Sequence, residues 1–538
     1  MRLFHFVRHA SFRCFWLGAI ATLALSPLDL WPAALALVPP LLMMASAASA
    51  RMAARFAFMT SWGWLSASLY WIGESLLVEG GMALLLLPVV LLGLPAALAL
   101  FWAVFVAAAY RCTSSPVLRL VLIALAIGSA DITRSIVLTG FPWNVMAHLF
   151  LATDISAQAV YFIGQHALNL VAMASIAGIA LIWQRQIATA VWLLLPAIIL
   201  IVLGGHRLAG REAAMLSVAP AGTPADIRII QPNIDQKEKW KREQRNQHLA
   251  KMVEIAHQHM PLPPLLILPE TAITTLWPAD AEKTSSFIQD ITPFDGYLLA
   301  GMLRLEERTR LYNSAFLFSH QGQPVARYDK IHLVPFGEYV PFRFIPYIDV
   351  IAGPIDFSSG AANKSYLHLP EDSPLAGLKI AMLICYEVIF PGFLDRTKAG
   401  DAEFGDVRTG DIIVNLTNDG WFGHTSGPYQ HLAQTRFRAI EDAKPLIRVA
   451  NTGISAVFDS YGAELGRIAL AQSGYLDIRL SDNLAQTAQR PFLHPLSRQI
   501  FTLIMLACVL SIYLLPLFAL EFWRQTKDKS NSSYSSNL

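Results

Sequence analysis

The stretch Leu378-Lys-Ile-Ala-Met-Leu-Ile-Cys-Tyr-Glu-Val-Ile-Phe390 decides how the polar part of this chain is read. Its first half is apolar, with Ile, Leu and Met dominant, which predicts a strand buried on both faces. It delivers one cysteine, Cys385, followed at once by the polar pair Tyr386 and Glu387 and a break at Pro391-Gly392. A nucleophile at the carboxyl end of a buried strand is held by a stiff element yet faces a cleft. A cysteine in that position is more often a packed core residue, because free Cys is among the most buried residue types. The catalytic reading therefore needs a base, a cation and a setting from the rest of the chain.

The setting comes from composition. Of 538 residues, 54% are hydrophobic and only 15% charged, and the mean hydropathy is +0.44. Soluble domains carry about 25% charged residues, so much of this chain belongs in lipid. A formal net charge of +2 gives no case for nucleic acid. Cys14, Cys112 and Cys508 lie in or beside apolar segments, leaving Cys385 alone in the polar part, without a disulfide framework or a metal-ligating CxxC.

Residues 12–205 are almost continuous apolar runs, and a span needs about 20 such residues. Helices are expected near 12–27, 32–49, 54–77, 82–109, 117–139, 157–183 and 187–204, with an eighth near 498–521. Arg2, Arg8 and Arg13, then Arg51 and Arg55, Arg111 and Arg119, Arg185, and finally Arg524, Lys527 and Lys529 fall in every other connection, all on one side of these spans. The intervening short loops, near Asp29, Glu74–Glu79 and Thr139–Asp154, carry no Lys or Arg. By the positive-inside rule both termini are cytoplasmic and the long segment between spans seven and eight lies outside. Asp131 and Arg134 admit two readings: an i,i+3 ion pair near a helix end, or the tip of a helix projecting towards the outer domain.

From about Ala225 short apolar runs alternate with charged amphipathic stretches, the pattern of a layered α/β domain. The expected division is 1–208 for seven membrane helices, 225–482 for the α/β domain, 495–523 for the eighth helix and 524–538 for a disordered tail. Within 225–482 three residues share one structural address: Glu270 ends Leu-Leu-Ile-Leu-Pro-Glu, Lys330 ends Ala-Arg-Tyr-Asp-Lys, and Cys385 ends Ala-Met-Leu-Ile-Cys. If these strands adjoin, their ends meet at one sheet edge. A carboxylate accepts the thiol proton and an ammonium favours thiolate and oxyanion, so the trio suffices for acyl transfer through a thioester. Taken singly, Glu270 reads equally as a helix cap before Thr271, and Lys330 as a solvated loop charge.

Leu-Pro-Glu270, Tyr-Asp-Lys330-x-His-Leu-Val-Pro-Phe-Gly-Glu338 and Ile-Cys385-Tyr-Glu resemble the Glu-Lys-Cys motifs of the carbon-nitrogen hydrolase (nitrilase) superfamily, as does Asn415-Leu-Thr-Asn-Asp-Gly-Trp-Phe422. Seven spans before such a domain and one after it, with Gln-Pro-Asn233…Lys-Trp240 and Thr-Gly-Phe-Pro-Trp143, resemble the apolipoprotein N-acyltransferase family over essentially the whole chain. The resemblance implies an αββα sandwich with Cys385 as nucleophile, Glu270 as base and Lys330 on the oxyanion. It implies supporting roles for Glu338, Trp240, Tyr386 and Glu387. It further implies a bacterial inner-membrane enzyme with a periplasmic site and no cofactor or metal. The acyl donor would be a phospholipid such as phosphatidylethanolamine, and the acceptor the α-amine of a diacylglyceryl apolipoprotein.

The physics also favours transfer over hydrolysis, since a soluble amidase has no use for eight spans and a thioester survives only where water is excluded. Phe336, Phe342, Phe344, Ile345 and Tyr347 lie in one loop beside the site and read either as a lid dipping into the interface or as a locally packed cluster. A membrane-tethered amidase remains an alternative. A transporter or receptor would need a polar path through the membrane, and Asp131, Arg134, His166 and Asn169 offer little of one. His257-Gln-His259 reads as a solvated helix end rather than a metal site.

Overall fold

The computed structural model describes residues 2–211, 216–341, 356–361, 366–396 and 411–481, the side chains of 2–8 and 395–396 aside. The expected helix near 498–521, the tail, and Phe342, Phe344, Ile345 and Tyr347 lie outside the described residues.

The amino-terminal part is helical: α1 Arg2–Ala21, α2 Val38–Ala45, α3 Ala50–Leu69, α4 Ile72–Glu79, α5 Leu94–Arg111, α6 Pro116–Arg134, α7 Asp154–Ala157, α8 Ala159–Trp183 and α9 Ile187–Ala209. Among the described residues four helical runs are long and apolar enough to cross a membrane: Gly81–Arg111, Pro116–Arg134, Ala159–Trp183 and Ile187–Ala209. α1 and α3, of 20 residues each, pack backbone to backbone. A Cβ on Gly18 would lie 2.0 Å from the Thr60 carbonyl oxygen, and one on Gly63 1.9 Å from that of Phe15, the small-residue contact used between membrane helices. The expected second span is broken: Trp31–Leu37 forms a tighter 3₁₀ stretch before α2, whose first turn contains Pro39 and Pro40. The third divides at Tyr70-Trp71 into α3 and α4, and α8 kinks at Gly164, where φ is +74°.

The Asp131–Arg134 pair is buried. Asp131 accepts from the Trp102 indole at 2.9 Å and lies 3.3 Å from Arg134. Arg134 in turn donates to the carbonyls of Phe141 at 2.7 Å and Trp143 at 3.0 Å. The pair thus pins the Phe141–Trp143 turn to the end of α6, and that turn packs against the α/β domain.

The α/β domain holds two sheets. Its strands are β1 Leu216–Val218, β2 Ile227–Gln231, β3 Leu265–Ile267, β4 Ile273–Trp277, β5 Tyr297–Glu306, β6 Arg310–Ser319, β7 Pro324–Asp329, β8 Tyr366–His368, β9 Lys379–Ile384, β10 Ile412–Thr417, β11 Leu446–Ala450, β12 Ser455–Phe458, β13 Glu464–Ile468 and β14 Gly474–Leu480. The first sheet runs β1-β14-β2-β3-β5-β6-β7, with β4 beside β5; the second runs β13-β12-β11-β10-β9-β8. Each has a parallel centre, β2-β3-β5 and β9-β10-β11.

Side chains alternate as a strand requires. In β9, Ile380, Met382 and Ile384 join Ile229, Ile267 and Leu299 of the facing sheet in one core, while Ala381 and Leu383 face the opposite way. In β5 and β6, Leu298, Ala300, Phe316 and Phe318 turn outward onto α10 (Arg245–Ala256) and α11 (Ala281–Ile291). Outside the second sheet lies α13 (Gly427–Asp442; α12 is the short Phe393–Arg396), which also packs against α8. The layers are helices, sheet, sheet, helix, and then the apolar helices. β3 and β7 lie in the first sheet and β9 in the second, so the three site-bearing strands meet across the sandwich and not along one sheet edge.

Candidate active site

β9 ends at Ile384, and Cys385 then takes φ +49° before one 3₁₀ turn, Cys385–Ile389. A non-glycine residue in the left-handed region costs about 1–2 kcal/mol, so the surroundings must hold it. Glu387 does much of this. Its fully buried carboxylate accepts from Ile384 N–H at 2.7 Å and the Tyr328 hydroxyl at 2.8 Å on one oxygen. The other oxygen accepts from Ile331 N–H at 2.7 Å and His332 N–H at 2.9 Å. The cysteine turn and the residues directly after Lys330 are thereby tied to one carboxyl group. Burial pushes Glu387 up to about 7, against the pull of these donors towards the charged form.

Glu270 reaches the same place through a glycine. The turn Pro269-Glu270-Thr271 crosses over β5 at Gly301, where a Cβ would stand 2.5 Å from Thr271 N and 2.6 Å from the Glu270 Cα. The crossing brings Glu270 to β6, where Asn313 Nδ2 donates to its carboxylate at 2.7 Å. The same amide donates to Glu338 at 3.0 Å. Lys330 is buried, with Nζ 2.8 Å from Glu338 Oε1 and 3.5 Å from Glu270 Oε1. Burial alone would lower its pKa, but Glu338, Glu270 and the Cys385 sulfur outweigh that and hold the ammonium well above its usual range. Glu338 is fixed by Val334 N–H at 2.8 Å. Burial pushes the Cys385 thiol up to about 12, Glu270 adding to the rise and Lys330 opposing it. A thiol held this high rests neutral, and would need a base before it could act as a nucleophile.

Tyr386 is buried and donates to the Gly140 carbonyl at 3.0 Å, joining the cysteine turn to the helical part. Trp240 is half-exposed, 6.0 Å from the ammonium of Lys239. Phe336 is largely exposed, with φ +63°.

The amino-terminal residues 17–178 match the family described as apolipoprotein N-acyltransferase N-terminal domain, and 226–489 match carbon-nitrogen hydrolase. An apolipoprotein N-acyltransferase from Rhizobium etli is 34% identical over 498 residues, covering 87% of this chain and 89% of its own length. The chain belongs to the apolipoprotein N-acyltransferase family. Other members, from Rhizobium rhizogenes (35% identical; 86% of this chain, 88% of the relative) and Brucella melitensis (33%; 86% and 87%), match over the same extent. It is an acyltransferase built on a nitrilase-like domain, with apolar helices that fit a membrane domain. Solved structures that are similar include an amidase of the nitrilase superfamily from Nesterenkonia (19% identity, TM-score 0.33, 49% of this chain and 95% of that one). A carbon-nitrogen hydrolase from Helicobacter pylori is also similar (15%, TM-score 0.36, 48% and 90%). The family assignment rests on the sequence relatives.

Two groups at the site lay outside the sequence reading. Asn313, the clamp between the two carboxylates, stands within β6 and carries no motif of its own. Lys239 lies in the charged stretch ahead of α10, which begins only at Arg245. Lys239 is buried, donating to the Glu270 carbonyl at 3.1 Å and the Thr271 hydroxyl at 2.7 Å. Burial pulls its pKa down to about 8. The Lys-Trp240 pairing was the one signal that could have marked it.

Proposed function

We propose that this acyltransferase moves a fatty acyl chain from a membrane phospholipid to the N-terminal α-amine of S-diacylglyceryl-cysteine on apolipoproteins, through a thioester on Cys385. The observation that carries the reading is a juxtaposition: Glu270, Lys330, Glu338 and Cys385 converge beside apolar helices long enough to cross a membrane. The contact is specific, since Gln430 Oε1 on α13 accepts from Trp71 at 3.1 Å, Trp143 at 2.9 Å and Asn144 at 3.0 Å. In this reading 1–208 is the membrane domain and 225–482 a periplasmic catalytic domain, with 495–523 as an eighth span of a bacterial inner-membrane protein.

In the first step Glu270 takes the thiol proton as Sγ attacks the ester carbon. The oxyanion forms beside Lys330 and the backbone N–H groups of the cysteine turn. The ester C–O bond breaks, the proton passes from Glu270 to the leaving lysophospholipid oxygen, and the acyl chain stays on sulfur. In the second step the neutral α-amine attacks the thioester carbon. Glu270 accepts the amine proton and returns it to the departing sulfur. Glu338 holds Lys330, Glu387 and Tyr386 hold the turn, and Trp240 lines the approach. Apart from the two substrates, no cofactor enters either step.

The test uses the full-length protein in detergent with labelled phosphatidylethanolamine and a diacylglyceryl-cysteine peptide. N-acylated peptide and lysophospholipid in equal amounts are expected. Turnover of small amides without peptide acylation would establish the tethered-amidase reading instead.

A further inference from the structure

Behind the cysteine turn lies a buried polar cluster that the triad does not use. The Cys385 carbonyl accepts from two side chains, His431 Nε2 at 3.3 Å and Asn415 Nδ2 at 3.4 Å. One buried arginine orients both of them. Arg448 Nη1 donates to Asn415 Oδ1 at 2.7 Å, which turns the amide nitrogen of Asn415 towards Cys385. Arg448 Nη2 lies 3.0 Å from His431 Nδ1 and 2.6 Å from Asp419 Oδ2. Asp419 also lies 3.0 Å from His431 Nδ1 and accepts from Thr417 at 3.0 Å.

The tautomer follows from this pattern. A carbonyl can only accept, so Nε2 must carry the ring proton. In the neutral ring the Nδ1 lone pair then takes the N–H of Arg448 Nη2, and Asp419 Oδ1, which accepts from Thr417, makes no hydrogen bond to it. Burial and the neighbouring Arg448 charge hold His431 below its usual pKa, in keeping with a neutral ring. Asn415, Asp419, His431 and Arg448 are all fully buried.

In a trans peptide the C=O and the next N–H point in opposite directions. Fixing the Cys385 carbonyl therefore fixes the direction of the Tyr386 N–H. We infer that His431 is a positioning residue: with Asn415, and under Arg448, it grips the Cys385 carbonyl so that the Tyr386 N–H stays aimed at the forming oxyanion. The grip is braced from the helical side, since the Trp143 ring lies 5.3 Å from the imidazole and Gln430, one residue earlier, takes three donors from Trp71, Trp143 and Asn144. A shift in the Phe141–Trp143 turn would thus reach the nucleophile's peptide through a single side chain. The inference rests on Cys385 being the nucleophile.

The test separates oxyanion binding from thiol reactivity in the full-length protein. A long-chain fatty aldehyde adds to Cys385: the S–C bond forms, the C=O π pair moves onto oxygen as an oxyanion, and the thiol proton goes to Glu270. Alkylation of Cys385 by iodoacetamide, read on the cysteine's peptide by mass spectrometry, makes no oxyanion. His431→Phe keeps the ring and loses the donor, whereas His431→Gln keeps an N–H at the Nε2 position. Because removing one oxyanion donor costs about 10²–10³-fold, His431→Phe should weaken aldehyde inhibition about 100-fold while alkylation changes less than about threefold. His431→Gln should recover most of the loss. Unchanged aldehyde affinity in His431→Phe, or aldehyde affinity and alkylation falling together in both variants, would overturn the inference. Aldehyde inhibition that survives Cys385→Ala would instead overturn the assignment of the nucleophile.

Discussion

Glu387→Gln is the most informative single change, because one buried carboxyl group serves Ile384 and Tyr328 with one oxygen and Ile331 and His332 with the other. An amide keeps one oxygen. In the better orientation that oxygen stays with Ile331 and His332, the Tyr328 hydroxyl rotates to accept, and the Ile384 N–H is left facing an NH₂ group. An orphaned buried N–H costs about 1–3 kcal/mol, and two retained bonds lose charge assistance worth about 1 kcal/mol each. Relief from burying a charge returns about 1 kcal/mol. The net is about 2–4 kcal/mol of local destabilisation, or about 30- to 1,000-fold in the opening equilibrium at 1.4 kcal/mol per decade. Hydrogen exchange should accelerate by that factor at the Ile331, His332 and Ile384 amides and stay unchanged at Ile229 in β2. Acyl-enzyme formation should fall about 100-fold, because the Lys330 segment and the cysteine turn lose their common tie. Unchanged protection at those three amides together with lost activity would refute the reasoning and make Glu387 a chemical participant.

Four further outcomes are expected. Glu270→Gln should slow acyl-enzyme formation about 10²–10⁴-fold, yet lower the pH midpoint of Cys385 alkylation, because the Glu270 charge helps raise the thiol to about 12; a midpoint that rises would contradict this. Asn313→Ala removes the amide between Glu270 and Glu338; at about 1.5–3 kcal/mol for a hydrogen bond to a charged group, single-turnover acylation should drop about 10- to 100-fold with unchanged thermal stability of the apolar helices. Gly301→Ala places a Cβ 2.5 Å from Thr271 N and should displace Glu270, cutting the acylation rate about 10²-fold while circular dichroism stays the same. Lys239→Met leaves the Glu270 carbonyl and the Thr271 hydroxyl without their shared donor; acylation should fall and be partly restored in Lys239→Arg, both read by the rate of the single-turnover burst.

Much of the α/β domain is local pattern and could be read from the chain. The apolar run into Cys385 forms β9, and Glu270, Lys330 and Cys385 all follow strands as their positions suggested. What the chain conceals is which sheet each strand joins. Continuous apolar runs look alike whether they adjoin or face one another across a core, so the chain does not tell that β5 and β6 separate β3 from β7 or that β9 belongs to the other sheet. Strand β4 is short and half polar and leaves little trace in the chain, whereas α11 carries the helical spacing plainly, with Thr284, Phe287, Ile288 and Ile291 on its buried face. Tyr328, Ile331 and His332 lie 55 to 59 residues from Glu387, and Arg448 and the Cys385 carbonyl 17 and 46 residues from His431; such long-range hydrogen bonds leave no local mark. In the apolar half, length and composition located the helical segments, but prolines at α2 and the positive φ at Gly164 interrupt two expected spans. A hydropathy window averages over such breaks.

The central claim is that Cys385 carries the acyl chain between two substrates. The intact mass of the full-length protein after exposure to phospholipid, before any acceptor is added, tests it most directly. The expected result is a single fatty-acyl increment that maps to Cys385, is removed by neutral hydroxylamine, and disappears when a diacylglyceryl-cysteine peptide is added, as that peptide gains the same acyl mass. An unmodified mass under conditions where the peptide becomes acylated, or an increment that persists in Cys385→Ala, would contradict the account.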